Sequence, residues 1–201
     1  MMMKFVCFGA ASTLLRSSHR IRNALKLQLL LGVRIGEALG AAKSEIDLSR
    51  RVWSIPAFRT KSGREHRLPL PALAVSILQS ANDRAGASRW LFPSPKDDGR
   101  IRSHSASTAM RRLRIDIGLG DVGTHDLRRT LATGLGNMGV PDEVIERVLN
   151  HAPRTVAGRH YNHAKHFEPM RRALDAWAER LLAIIDNHSN VVVLRARTKS
   201  E

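Results

Sequence analysis

The chain has 201 residues, with 33 Lys+Arg against 18 Asp+Glu, a formal charge of +15, one cysteine and one tyrosine. That length gives one domain, with or without a tail, and enough chain for a hydrophobic core, while the charge calls for a polyanionic partner, nucleic acid ahead of an acidic membrane surface. A lone Cys7 excludes an internal disulfide framework and an all-cysteine zinc site, no apolar stretch approaches the roughly 20 residues of a membrane helix, and well-spread apolar runs exclude a disordered basic tail.

Met1 to about Ser18 shows no helical or strand period, and its lysine and short apolar run imitate a signal peptide only weakly. From Arg20, the spacing of Ile21, Ala24, Leu25 and Gln28 to Leu31 predicts a helix, broken by Gly32 and followed by a second helix opening near Arg34. Ile46 to Ile55 reads as a strand and Arg59 to Leu70 as its partner, with Ser62-Gly63 as the turn between them. Pro71 opens a helix to about Ala85. Gly86 to Arg100, punctuated by Pro93, Pro95 and Gly99, reads as a loop pinned to the core through Trp90-Leu91-Phe92. A basic helix is expected from about Ser103 to Ile117, then a break at Gly118, Gly120 and Gly123. Another helix starts at His125, runs to about Met138 and ends at Gly139. Pro141 opens the next, with Asp142 and Glu143 in the first turn where the helix dipole favours them. Asn150 to Arg154 reads as a turn and a short helix holds Tyr161. Phe167 to Ile185 forms the last helix, with Met170, Leu174, Trp177, Leu181 and Leu182 on one face, and Val191 to Leu194 reads as a short strand in the tail. No internal repeat is visible.

The chemistry-bearing residues stand where helices begin and loops end: Arg34, Lys61, His125 with Arg128, His151 and Tyr161. No Walker-type phosphate loop or Ser-His-Asp arrangement is present. Two arginines, two histidines, a lysine and a tyrosine suit metal-free phosphoryl transfer. A phosphodiester under attack gathers charge on its non-bridging oxygens, and planar guanidinium forks match two oxygens at once. A lysine or histidine can protonate the leaving oxygen, and a tyrosine can be the covalent nucleophile.

The words Gly32-Val33-Arg34-Ile35-Gly36-Glu37-Ala38-Leu39, Thr60-Lys61-Ser62-Gly63-Arg64, Leu68-Pro69-Leu70-Pro71, Trp90-Leu91-Phe92-Pro93-Ser94, His125-Asp126-Leu127-Arg128-Arg129-Thr130, Leu149-Asn150-His151-Ala152 and Arg159-His160-Tyr161 follow one another in this order. Together they resemble the tyrosine recombinases, or phage-type integrases, from about Arg20 to Ile185. The resemblance implies an α+β, mainly α-helical catalytic domain with a small antiparallel sheet or hairpin on one side. It implies Tyr161 as the nucleophile that forms a 3′-phosphotyrosyl link, with Arg34 and Arg128 clamping the phosphate. Lys61 becomes the general acid on the leaving 5′-oxygen, His125 takes part in proton transfer, and His151 hydrogen-bonds the phosphate. Glu37, one helical turn after Arg34, orients the site. Bond energy kept in phosphotyrosine removes the need for ATP, metal or any other cofactor. The implied partners are double-stranded DNA and, on it, further copies of the chain, in a tetrameric synapse only where a full DNA clamp is present, with no membrane and no small-molecule substrate. The implied location is the cytoplasm, at the nucleoid.

Each word alone has a plainer meaning. A lone tyrosine is ordinarily an amphipathic core residue, and Lys61 competes with Lys43, Lys96 and Lys165. His151, His160, His163 and His166 could hold zinc, but apart from Glu168 the neighbourhood lacks acidic or thiol partners. Trp53, Trp90 and Trp177 are expected in the core, and Arg111, Arg112 and Arg114 suit a phosphate-facing helix and a solvated basic face equally. The expected organisation is an atypical extension over 1–18, a catalytic domain over 19–185, and a tail over 186–201 suited to docking on a neighbouring protomer. Family members usually carry a helical core-binding domain ahead of the catalytic one. Its absence here predicts a truncated form ahead of a small stand-alone recombinase, in either case with half the DNA clamp missing and binding that is weak and steeply salt-dependent. The alternatives are type IB topoisomerase-like strand relaxation and a recombination-incompetent DNA-binding remnant. No member of the catalytic set is missing, which argues against the remnant.

Overall fold

The computed structural model describes residues 18–96, 98–116, 118, 120–151 and 163–186. Helix α1 (His19–Leu31) starts where the Ser18 side chain accepts from the Ile21 amide, and stops at Gly32, whose φ of 69° is a conformation that costs glycine little. Its second half is buried all round (Leu27 to Leu31), as befits a central helix. Around it pack α2 (Ile35–Leu39), α3 (Ala72–Ala85), α4 (Ser103–Asp116), α5 (Thr124–Asn137) and the long α7 (His163–Ile185). The short α6 (Asp142–Val148) joins α5 to the segment leading towards α7. This is the expected helical α+β arrangement.

On one side lies a three-stranded antiparallel sheet in the order β1 (Ile46–Asp47), β2 (Val52–Ile55), β3 (His66–Pro69). The span Ile46 to Ile55, expected as one strand, is two. The Asp47 carboxylate accepts from Ser49 Oγ at 2.7 Å and from the Arg50 amide at 2.8 Å, an Asx-type turn, and Arg51 takes a left-handed φ of 56°. The β2–β3 connection turns at Gly63 (φ 66°) as predicted. It is tied internally by Thr60, whose Oγ1 donates to the Arg64 carbonyl at 2.7 Å and accepts from the Arg64 amide at 3.1 Å.

Segment 86–100 is pinned as expected. The Leu91 amide donates to the Ala41 carbonyl and the Lys43 amide to that of Arg89, both at 2.9 Å, and Phe92 is fully buried. Trp53 and Trp177 are core residues; Trp90 is half-buried, with the Arg89 guanidinium 4.6 Å above its ring. Helix α7 begins ahead of the expected Phe167 and runs through Pro169, whose missing N–H breaks the helical hydrogen-bond ladder. Burying Met170, Leu174 and Leu181, at roughly 1.5–3 kcal/mol each, exceeds the roughly 3 kcal/mol that an interior proline costs. Leu182, expected on that face, is 40% exposed. Trp177 seats α7 against the rest of the molecule: its Nε1 donates to the Leu29 carbonyl at 3.0 Å, and its ring lies against Gly134 of α5. No described helix is long and apolar enough to cross a membrane.

Candidate active site

Arg34 is the N-cap of α2, and Glu37 is the third residue of that helix. The Glu37 carboxylate accepts from the Arg34 amide at 2.8 Å and from the Arg34 guanidinium at 2.9 Å, with Glu37 only 3% exposed. One carboxylate thus caps the helix and aims the arginine, as a capping box does with a serine or threonine. Two residues after Gly32, a chain that had been buried turns out far enough for the Arg34 side chain to stay partly in solvent.

Arg128, from α5, is the hub. Its guanidinium is 2% exposed and donates from Nη1 to the Gly32 carbonyl and from Nη2 to the Leu149 carbonyl. Gly32 precedes Arg34 by two residues and Leu149 precedes His151 by two, so one side chain fixes two stretches of the site. Burial and then the positive charge of Arg34 lower the Arg128 pKa to about 10, which leaves it charged at neutral pH. Two cations from distant parts of the sequence are therefore held within electrostatic reach of each other, as an anion-binding site requires.

His151 is half exposed, and its Nδ1 lies 2.6 Å from the Glu146 carboxylate. An ionised carboxylate only accepts, so Nδ1 carries the proton and Nε2 is the nitrogen left for a ligand. The loop carrying Lys61 reaches this turn: Arg64 Nη2 donates to the His151 carbonyl at 2.6 Å, and Asn150 Nδ2 to the Arg64 carbonyl at 3.4 Å. Lys61 itself is exposed. His125 is exposed in the first turn of α5, one turn before Arg128, and partial burial followed by the charges of Arg129 and Arg128 lowers its pKa. Arg34, Glu37, Arg128 and the His151 turn are thus brought together, with the Lys61 loop and His125 around them. Tyr161, His160 and the short helix expected to hold the tyrosine lie outside the described residues, as does the Val191 to Leu194 run. His166 pairs with Glu143 at 3.6 Å, away from His151's own carboxylate.

Four residues in and around this site escape sequence reasoning. His66 of β3, paired in register with Ile55, is 3% exposed. Burial, opposed by Glu37 and reinforced by Arg128, lowers its pKa to about 4, so it is neutral at pH 7. Its signal is readable afterwards: His66 and Leu68 alternate as the inward positions of the strand. Glu146 lies five residues before the histidine it orients. Arg59 precedes the Lys61 turn and carries no mark that separates it from the other basic residues, and Arg64 closes the Lys61 word without any sign that it grips the His151 carbonyl.

The phage integrase family model matches residues 9–167. Prophage integrase IntA of Escherichia coli (strain K12) is 35% identical over 158 residues, which cover 78% of this chain and 37% of that protein. The integrase of Enterobacteria phage P4 is 30% identical over 193 residues, 89% of this chain and 44% of its own. This chain thus spans less than half the length of these two relatives. Among solved structures, the integrase from mycobacterium phage Brujita superposes with a TM-score of 0.64 at 22% identity, over 85% of this chain and 58% of that one. XerH site-specific recombinase bound to difH substrate gives 0.60 at 19% identity, over 75% and 45%. With the family's sequence model spanning most of the chain and a curated integrase 35% identical over 78% of it, this chain belongs to the phage integrase family.

Proposed function

We propose that this chain is a site-specific DNA recombinase that cleaves and rejoins strands through a 3′-phosphotyrosyl intermediate. The observation that carries the reading is the Arg34–Arg128 pair, two guanidiniums held together, one oriented by Glu37 and one by two backbone carbonyls. Such a pair suits the non-bridging oxygens of a phosphodiester, whose charge grows during attack. The Tyr161 oxygen attacks phosphorus, the bond to the 5′-oxygen breaks, and Lys61 gives that oxygen its proton. His125, neutral at pH 7, takes the phenol proton, and His151 donates or accepts at the phosphate through Nε2. Reversal by a different 5′-hydroxyl joins strands with neither ATP nor metal.

The partner is double-stranded DNA, as in the XerH–difH complex and in the lambda integrase dimer bound to a COC′ core site. The place of action is cytoplasmic, at the nucleoid. Residues 19–185 form the catalytic unit, and 186–201 dock on a neighbouring protomer, so that removing 187–201 reduces cooperative DNA binding.

The test is covalent capture from a random-sequence pool of nicked duplexes, in which the cleaved strand loses the short fragment needed for rejoining. The wild-type chain accumulates a covalent DNA–protein species, and Tyr161→Phe binds DNA but forms none. Since Tyr161 is the single tyrosine, adducts persisting in that variant refute the assignment.

A further inference from the structure

The segment 57–64 presents Lys61 from the sheet side of the site, and its root is fixed by an ion-pair network that the chemistry above does not use. Arg59, two residues before Lys61, donates from Nε to Glu45 Oε1 at 2.6 Å and from Nη2 to Glu45 Oε2 at 2.7 Å, a bidentate pair with side chains only 10% and 7% exposed. The same Nη2 reaches the backbone carbonyl of Glu37 at 3.3 Å. Glu45 Oε2 also accepts from Trp53 Nε1 at 3.1 Å, so the carboxylate is oriented by the fully buried tryptophan of β2. From the other side, Arg100 Nη1 donates to the Gly36 carbonyl at 3.0 Å. Both guanidiniums pass over Gly40, where a Cβ would meet Arg100 Nη1 at 2.0 Å and Arg59 Nη1 at 2.3 Å.

We infer that Arg59 is a positioning residue that sets Lys61 against Arg34, by tying the root of the Lys61 loop to the helix carrying Glu37. The geometry favours this over a surface ion pair in three ways. The pair is bidentate and largely shielded from water, which makes its direction specific. Its third contact lands on the backbone of the residue whose side chain aims Arg34. The thirteen-residue hairpin stretch from Val52 to Arg64 has its tip exposed, so that a long lysine there depends on the loop's root for placement. Gly40 is the complementary feature, the absence of a side chain that leaves room for the guanidinium. A lysine at 59 keeps the charge but loses the fork that grips Glu45 and Glu37 together.

This inference rests on Lys61 being the general acid, and the experiment separates the two claims. In the cleavage step the tyrosyl oxygen–phosphorus bond forms, the phosphorus–O5′ bond breaks, and a proton moves from Lys61 Nζ to O5′. Replacing that bridging oxygen by sulfur gives a thiolate leaving group of far lower basicity, which departs without a proton. Duplexes recovered by the covalent capture above are synthesised with 5′-oxygen or 5′-sulfur at the cleaved position, and single-turnover cleavage is followed for wild type, Lys61→Ala, Arg59→Met and Gly40→Ala. Lys61→Ala is expected to lose about 100-fold or more on oxygen and to regain nearly wild-type rates on sulfur. Arg59→Met and Gly40→Ala lose about 10-fold or more on oxygen and recover to within about 3-fold on sulfur, if they act through the lysine. Glu45→Gln, which keeps the shape and removes the charge, gives the same selective pattern should Arg59→Met not fold. Rescue of Lys61→Ala without rescue of the Arg59 and Glu45 variants overturns the inference alone, as do Arg59 and Glu45 variants with wild-type rates on oxygen. A Lys61→Ala enzyme equally slow on both substrates overturns the general-acid reading and this inference with it.

Discussion

Acid should destabilise this fold in part through one buried side chain, His66. Its pKa falls from 6.5 to about 4 because the ring is buried on β3 with Arg128 nearby. The unfolded chain therefore takes up a proton first. Stability from the neutral ring is complete above pH 6.5 and is lost as the pH falls towards 4, the direction expected for a depressed base. At about 1.36 kcal/mol per pH unit the interval amounts to about 3 kcal/mol, a large share of the roughly 5–15 kcal/mol that holds a domain together. The measurement is a difference between wild type and variant, in which the contributions of the other groups cancel. Urea unfolding of the wild type and of His66→Leu is followed at intervals from pH 7.5 to 4. The wild type should lose about 3 kcal/mol more than the variant, nearly all of it below pH 6.5. The leucine variant should suffer little at pH 7.5, because an apolar side chain of similar size suits so buried a position. Curves that stay parallel to within about 0.5 kcal/mol would refute the claim that His66 is held neutral by its surroundings.

Gly134→Ala should lower the melting temperature although alanine is the better helix former by about 1 kcal/mol. The new Cβ would sit 2.2 Å from the Trp177 ring, an overlap costing about 1–3 kcal/mol or more, and a Trp177→Leu background should remove most of the penalty. Arg128→Lys should cost about 2 kcal/mol in urea unfolding, since a single ammonium cannot serve both the Gly32 and Leu149 carbonyls; Lys61→Ala, at an exposed position, should stay within about 0.5 kcal/mol of wild type. Binding to double-stranded DNA should weaken about 1,000-fold or more between 50 and 200 mM salt, as measured by fluorescence anisotropy, and an affinity indifferent to salt would contradict an electrostatic grip by the +15 charge.

Much of the helical frame is legible in the sequence because its signals agree with one another. Apolar spacing from Ile21 to Leu31 and a glycine stop at 32 predict α1, its break and a second helix opening near Arg34. Trp53 and Trp177 are legible as core because large aromatics in periodic segments bury well. The split between β1 and β2 is not legible, because it depends on the Asp47 side chain competing for backbone amides and on an arginine accepting positive φ. The arginine pair and His151 are readable as words in a fixed order. Their supports are not: Arg59 and Arg64 are two among 33 basic residues, and only the tertiary fold shows which carbonyl each one grips. His66 lies between these cases. Alternation places it inward, but nothing local says that its neighbours are Glu37 and Arg128.

The two bonds from Arg128 to Gly32 and Leu149 have a consequence for how such genes decay. A copy of this chain can lose an exposed residue such as Lys61 or His125 at almost no cost to folding. It cannot shed Arg128 as cheaply, because the protein that remained would be short of a clamp between two parts of its own backbone. Inactive descendants of this chain should therefore show erosion at the rim of the site first, with Arg128 among the last residues to go. A surviving arginine at that position then testifies to the fold rather than to any chemistry.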